Sequence, residues 1–158
     1  MAKSKKQSAG ILLYRPGVPE PEVFLVHPGG PFWKNKDEGA WTIPKGEFDE
    51  SEDPLAAAIR EFKEETGFNI KGDFKPLIPV QQKAGKIVQA WAIQGNINEA
   101  NVQSNFFEME WPPKSGQMRL FPEIDKACWF TVPEARLKII SGQLPFLDEL
   151  EDFIQSST

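Results

Sequence analysis

Apolar residues along the chain fall into short runs separated by turn-forming stretches, and one segment replaces that rhythm with a helical period. Ser8 to Tyr14 is a compact apolar run and reads as a buried strand. Arg15 to Pro21 carries three prolines and a glycine, so it reads as a turn. Val23-Phe24-Leu25-Val26 follows as a second strand, which makes a hairpin of the pair. Pro28 to Ala40, rich in Gly, Pro and charge, reads as a loop. Trp41-Thr42-Ile43-Pro44 is short, extended and stopped by its proline.

From 54 to 66 the period changes. Leu55, Ala58, Ile59 and Phe62 recur at helical spacing. Asp53 is placed to cap this helix, Pro54 suits its first position, and Gly67 suits the residue just past its end. Further strands are expected at Lys75 to Val80, Ile87 to Ile93 and Ala127 to Phe130. Helices are expected at Pro133 to Ile140 and Pro145 to Ile154. Asn101 to Gln117 is polar, contains Pro112-Pro113, and reads as a surface loop. Neither a repeat nor a linker interrupts the series. The pattern predicts one α/β sandwich domain over residues 1–158, with a disordered basic tail at Met1 to Gln7.

Composition narrows the function. The net charge of −5 argues against a nucleic-acid polymer as partner, because such binding rests on cations that neutralise phosphates. A small phosphorylated ligand held by metal and a few local cations stays compatible with it. Cys128 is the only cysteine, so neither an intramolecular disulfide nor a cysteine zinc cluster can form, and it reads as a small core residue. The basic start is not followed by an apolar stretch long enough for a signal peptide or a membrane span. A cytoplasmic protein, monomer or homodimer, is expected. Twelve Phe and five Trp supply more rings than one Tyr suggests, enough for the core and for one or two that stack on a planar ligand. His27, the only histidine, stands beside Pro28 and reads as a surface or loop residue.

The chemistry concentrates in the helix. Glu61, Glu64 and Glu65 stand at i, i+3 and i+4 and share one face. At about 100° per residue that face centres away from the apolar stripe, so the carboxylates are expected to point outward. They repel one another, and they crowd the negative end of the helix dipole, where an exposed anion costs roughly 0.3–1 kcal/mol. Arg60 and Lys63 offset part of this, and a divalent cation offsets more. Oxygen-rich clusters suit hard ions such as Mg²⁺ or Mn²⁺. The plain alternative is a solvated acidic face.

The neighbours of these glutamates decide between the two. Gly46 to Phe68 fits the pattern G-x5-E-x7-R-E-U-x-E-E-x-G-U, with U bulky and apolar, at Gly46, Glu52, Arg60, Glu61, Phe62, Glu64, Glu65, Gly67 and Phe68. Random sequence of this length matches on the order of once in ten million. This is the Nudix box, and the chain resembles the Nudix hydrolase superfamily. The resemblance implies an α/β/α sandwich around a mixed sheet, with the box as loop–helix–loop. It implies that Glu61, Glu64, Glu65 and the Gly46 carbonyl are metal ligands, and that Glu64 or a nearby carboxylate is the base for the attacking water. It implies that Arg60 orients the glutamates and that Glu52 supports the loop through Arg60 or reaches the metal site directly. The activity implied is metal-dependent hydrolysis of a pyrophosphate bond in a small nucleotide-like substrate.

Two flanking stretches bear on the substrate. The approach Trp41-Thr42-Ile43-Pro44-Lys45-Gly46 is similar to that of dinucleoside polyphosphate and diphosphoinositol polyphosphate hydrolases. By that likeness Lys45 reaches a phosphate, and Trp41 either supports the box from the core or stacks on a base. Downstream, Glu123 stands six positions before Trp129, which resembles asymmetric dinucleoside tetraphosphate hydrolases, where the acid helps bind metal. Arg119 would then meet a distal phosphate. Gly85 stands where that group usually has Tyr, and Gln82 where the ADP-ribose group usually has Pro. Dinucleoside polyphosphates are slightly favoured, with damaged nucleoside triphosphates, ADP-ribose or nucleotide sugars as alternatives. A ligand-sensing domain without turnover is the non-enzymatic alternative, and it should have lost a metal ligand; Glu61, Glu64 and Glu65 are all kept.

Overall fold

The computed structural model describes residues 7–17, 19–82 and 85–156. Residues 1–6 of the expected tail, and Val18 in the expected turn, lie outside these. Gln7 does not belong to a tail: it opens β1 (Gln7–Arg15), paired with Phe48 and Ile87. β1 and β2 (Glu22–Pro28) form the expected antiparallel hairpin, with Tyr14 opposite Val23. Arg15 closes it by donating to Glu22 at 2.8 Å.

The remaining elements are β3 (Lys45–Phe48), α1 (Pro54–Thr66), β4 (Lys75–Pro76), β5 (Val80–Gln81) and β6 (Ile87–Gln94). After them come β7 (Phe106–Glu110), β8 (Met118–Pro122), β9 (Ile124–Thr131), α2 (Val132–Lys138) and α3 (Leu144–Ser156). The main sheet runs β4-β6-β1-β2-β9, with β3 added to β1 and β5 to β6. It is mixed, because β1 and β6 are parallel while the other pairs are antiparallel.

Strand alternation divides the interior in two. Ala9, Ile11 and Leu13 of β1 and Phe24 and Val26 of β2 pack with Ala57, Ala58 and Phe62 of α1. Leu12, Val23 and Leu25 point the other way, toward Ala135, Phe146, Leu147 and Leu150 of α2 and α3. One helix therefore covers one face and two cover the other, the α/β/α sandwich expected.

Three further expectations need correction. Lys75 to Val80 is not one strand but β4 and β5 with a break between them. The expected loop at Asn101 to Gln117 contains β7, which pairs with β8 in a separate two-stranded sheet. The double proline lies in the connection between these strands, where no ladder hydrogen bond is needed. His27 is not at the surface. Only 1% exposed on β2, its Nδ1 faces Asp125 Oδ1 at 2.7 Å and its Nε2 faces the Lys36 carbonyl at 2.6 Å. It fastens the loop after β2 to β9.

Gln143 does the same for the segment before β3. Fully buried, it accepts from the Ile43 N–H at 3.1 Å and donates to Thr42 Oγ1 at 2.8 Å. Gln143→Ala would leave a buried N–H without a partner and should destabilise the protein by about 1–3 kcal/mol. A urea-unfolding midpoint equal to that of the parent would contradict this account.

Candidate active site

The segment that carries the chemistry is a strand, a tight loop and a helix in sequence. β3 pairs with β1, opposite Gln7 to Gly10. Asp49 accepts from the Ser51 N–H at 2.8 Å and turns the chain. Asp53 caps α1 by accepting from the Ala56 N–H at 3.0 Å, with Pro54 at the first position. Gly67 ends the helix at φ 84°, a left-handed conformation that glycine adopts without a Cβ clash, and donates to the Lys63 carbonyl. The bounds 54–66 agree with those read from the sequence.

The direction of the carboxylates does not. The buried residues of α1 are Ala57, Ala58, Glu61, Phe62, Glu65 and Thr66, whereas Leu55 and Ile59 are only half-buried. Glu61 and Glu65 thus lie on the packed side of the helix, against β3. The Lys45 N–H donates to Glu65 Oε1 at 3.1 Å. A Cβ placed on Gly46 would stand 2.0 Å from Glu61 Oε2, so glycine is required there for the carboxylate to occupy its position. Glu64 is the open member: its side chain is 40% exposed, against 12% for Glu61.

Arg60 binds the set together. Its Nη1 donates to Glu61 Oε1 at 2.9 Å and to Glu64 Oε1 at 3.2 Å, and its Nη2 donates to Glu52 Oε2 at 3.0 Å. One guanidinium therefore spans three acids, two in the helix and one in the loop. Glu123, remote in sequence, is drawn to the same place. Its N–H donates to the Asn105 carbonyl at 2.8 Å, and the Asn105 N–H donates to the Glu64 carbonyl at 3.1 Å.

The cluster has an unmet need for positive charge. Burial pushes Glu65 up to about 8, and the charges of Glu61 and Glu123 add to the rise. Burial and then Glu64 hold Glu61 above the usual carboxylate range, and the same two causes raise Glu123. Among the described residues no three His, Cys, Asp or Glu side chains already stand as a ligand set for a metal ion. Arg60 is the cation that Glu61 and Glu64 share. The donors nevertheless suit a hard divalent ion: all are oxygen, Glu61 and Glu65 are buried, and the carboxylates repel one another.

Other predicted residues lie nearby or apart. Lys45 is half-buried at the start of β3, and burial, then the neighbouring Lys86, lowers its pKa. Lys86, which pairs with Glu47 at 3.3 Å, carried no signal in the sequence as part of this neighbourhood. Trp41 is 6% exposed, packed edge-on to His27 and Phe130, with its indole N–H donated to Asp37 at 2.8 Å. It belongs to the core and has no open ring face for a base, so the substrate contact allowed for it falls away. Arg119 is exposed on β8, opposite Met109. Cys128 is half-buried, and burial raises its thiol pKa. A cleft of about 240 Å³ lined by Glu20, Pro21, Val132, Pro133 and Glu151 contains none of these carboxylates.

A family model described as NUDIX domain matches residues 4–150. The chain belongs to that family. Members of the family generally use divalent metal ions. Solved structures agree on the fold. The Ap4A hydrolase of C. elegans, in a binary complex, superposes with a TM-score of 0.66 at 24% identity, covering 96% of this chain and 98% of that one. The NUDIX domain of Shewanella oneidensis NrtR, solved with ADP ribose, superposes at 0.68 with 14% identity, covering 97% and 90%. A Myxococcus xanthus protein called octanoyltransferase is 30% identical over 129 residues, which is 82% of this chain. This Nudix chain spans only 32% of that protein's length. No helix among the described residues is long and apolar enough to cross a membrane.

The pKa of Glu65 sets a test. Its folded value, about 8, lies above the ordinary 4.5, so its contribution to stability is full below 4.5 and is lost as pH rises through 8. Metal-free protein should therefore melt at falling temperatures from pH 5 to pH 8, and Glu65→Gln should flatten the slope. Mg²⁺ should raise the melting temperature more at pH 8 than at pH 5, because the charged carboxylate is the form that binds it. Equal Mg²⁺ shifts at both pH values would rule out a role for this carboxylate.

Proposed function

We propose that this NUDIX-domain chain is a hydrolase that cleaves a pyrophosphate linkage in a nucleoside diphosphate-linked substrate, with dinucleoside polyphosphates favoured. The observation that carries the reading is the gathering of Glu61, Glu64 and Glu65 from one helix, with Glu123 from a distant turn, around Gly46 and Arg60. Nothing in the folding of an α/β sandwich calls for burying such a set. A polyphosphate is strongly anionic and repels an attacking hydroxide. Divalent ions, Mg²⁺ or Mn²⁺, would neutralise that charge and lower the pKa of a bound water.

Glu61, Glu65, Glu123 and the Gly46 carbonyl are assigned to hold the metal, with Glu64 contributing. Glu64 is assigned as the base because it is the most open of the helix carboxylates and so can meet a water molecule. Arg60 keeps Glu61 and Glu64 in position, and Glu52 keeps Arg60 in position, which makes these two positioning residues. Lys45 and Arg119 are assigned to substrate phosphates. The preference for a dinucleoside polyphosphate rests on Glu123, which joins the helix carboxylates from the turn before β9. The Ap4A hydrolase structure adds agreement of the frame.

Glu64→Gln should lower kcat by about 10²- to 10⁴-fold, the usual worth of a general base. Its melting temperature should stay within a few degrees of the parent, since Glu64 is not buried. Wild-type turnover in the Gln variant would remove Glu64 from the chemistry. A panel of dinucleoside polyphosphates, oxidised nucleoside triphosphates, ADP-ribose and nucleotide sugars, run with Mg²⁺ and with Mn²⁺, would fix the substrate through the mononucleotide, phosphate and pyrophosphate released. Nucleotide binding without any turnover would instead mark a sensor.

A further inference from the structure

The β7–β8 hairpin is not needed to close the main sheet, yet it is rooted at the carboxylates. Its base is the Asn105–Glu123 pair, joined to Glu64 through the Asn105 N–H. A second arm starts at the same point. The Gly29 N–H donates to the Glu123 carbonyl at 2.8 Å, and the chain then runs through Gly30, Pro31 and Phe32.

Register gives the hairpin two faces, because directly opposed residues share a side. Phe107 with Phe121, and Met109 with Arg119, occupy one of them. That face is turned to the second arm: a Cβ on Gly30 would lie 3.1 Å from Phe107 Cζ. Farther out the arms meet, with Phe32 and Trp111 edge to face at 5.5 Å between centroids and 83° between planes.

Phe32 is nevertheless 58% exposed. A single exposed ring is unremarkable on a protein surface. Here two rings from two elements, both tied to the carboxylate cluster, close on each other in the open. Phe32 is three residues beyond Gly29, so the two Cα atoms are at most about 11 Å apart. That is a span a nucleotide covers from its phosphates to its base. Arg119 lies on the inner face of the hairpin, and its side chain makes no hydrogen bond or ion pair among the described residues, in a chain whose net charge is −5.

The geometry points to Phe32 and Trp111 as specificity-determining residues: an L-shaped two-ring clamp in which one ring offers its face and the other its edge to the nucleobase of a substrate whose phosphates lie at the carboxylates. This assignment rests on the proposed function for the position of the phosphates. The occupant is a planar heterocycle, since an edge-to-face pair leaves ring surface open and any base offers a face to it.

Direct binding tests the clamp without relying on turnover. Calorimetric titration with ADP and with inorganic pyrophosphate, both in Mg²⁺, should show ADP binding more tightly to the wild-type chain. Phe32→Ala and Trp111→Ala should each weaken ADP by about 5- to 100-fold, the range of one base–aromatic stack. Pyrophosphate affinity should stay within twofold, and Phe32→Tyr and Trp111→Phe, which keep a ring, should retain most of the ADP affinity. Four results overturn the clamp: no ADP binding, ADP no tighter than pyrophosphate in the wild type, unchanged ADP affinity in both Ala variants, or equal losses for the two ligands. Ring-dependent ADP binding by a protein that hydrolyses no diphosphate keeps the clamp and sinks the hydrolytic reading instead.

Discussion

The structure depends on holding like charges together where solvent screens them poorly. Glu61 and Glu65 lie on the packed side of α1, facing β3 rather than water. Desolvation disfavours the ionised form of each, and their neighbours Glu64 and Glu123 add repulsion. Three local features make the arrangement tolerable. Gly46 leaves room for the Glu61 carboxylate, the Lys45 N–H donates to Glu65, and Arg60 spans Glu61, Glu64 and Glu52. The Lys45 charge also favours ionised Glu65, yet burial outweighs it and the carboxyl stays well above its usual range. The deficit is what distinguishes a binding cluster from an ion-pair network that is complete in itself.

The sandwich serves that cluster by fixing the helix on one side and the strand on the other. Phe62 and Ala58 lock α1 to β1 and β2, and β1 holds β3 in antiparallel register. The helix face that packs and the face that carries chemistry are therefore nearly the same. This is why Leu55 and Ile59, apolar and well spaced, are less buried than two glutamates. Apolar periodicity places a helix against a core, but it does not say how far the helix rolls when a neighbouring strand offers N–H groups to its acids.

What the chain reveals before folding follows the range of the forces. The ends of α1 were legible because Asp53, Pro54 and Gly67 act within one turn, and the β1–β2 hairpin because its turn residues lie between its strands. Arg60, Glu61, Glu64 and Glu65 were legible because their spacing is helical, whereas Gly46 and Glu52 stood out only through the resemblance to the Nudix box. The parallel pairing of β1 with β6 was not, since it joins segments about 80 residues apart. β3 was hidden because Lys45-Gly46-Glu47-Phe48 has none of the β-branched residues that mark a strand. The burial of His27 and Gln143 depends on partners such as Asp125 and Ile43, which no local pattern announces.

The β7–β8 hairpin was missed for a reason that also bears on its use. A strand signals itself by alternating between a buried and a wet side, and this hairpin has no fully buried side. Phe106, Met118 and Leu120 remain exposed on one face, and Phe107, Phe121 and Arg119 occupy the other. An element with so little to bury gains little stability from the core, so its position must come from its root. That root is a chain of backbone hydrogen bonds from Glu64 through Asn105 to Glu123 and on to Gly29. The same main-chain bonds hold both arms beside the helix that carries the carboxylates.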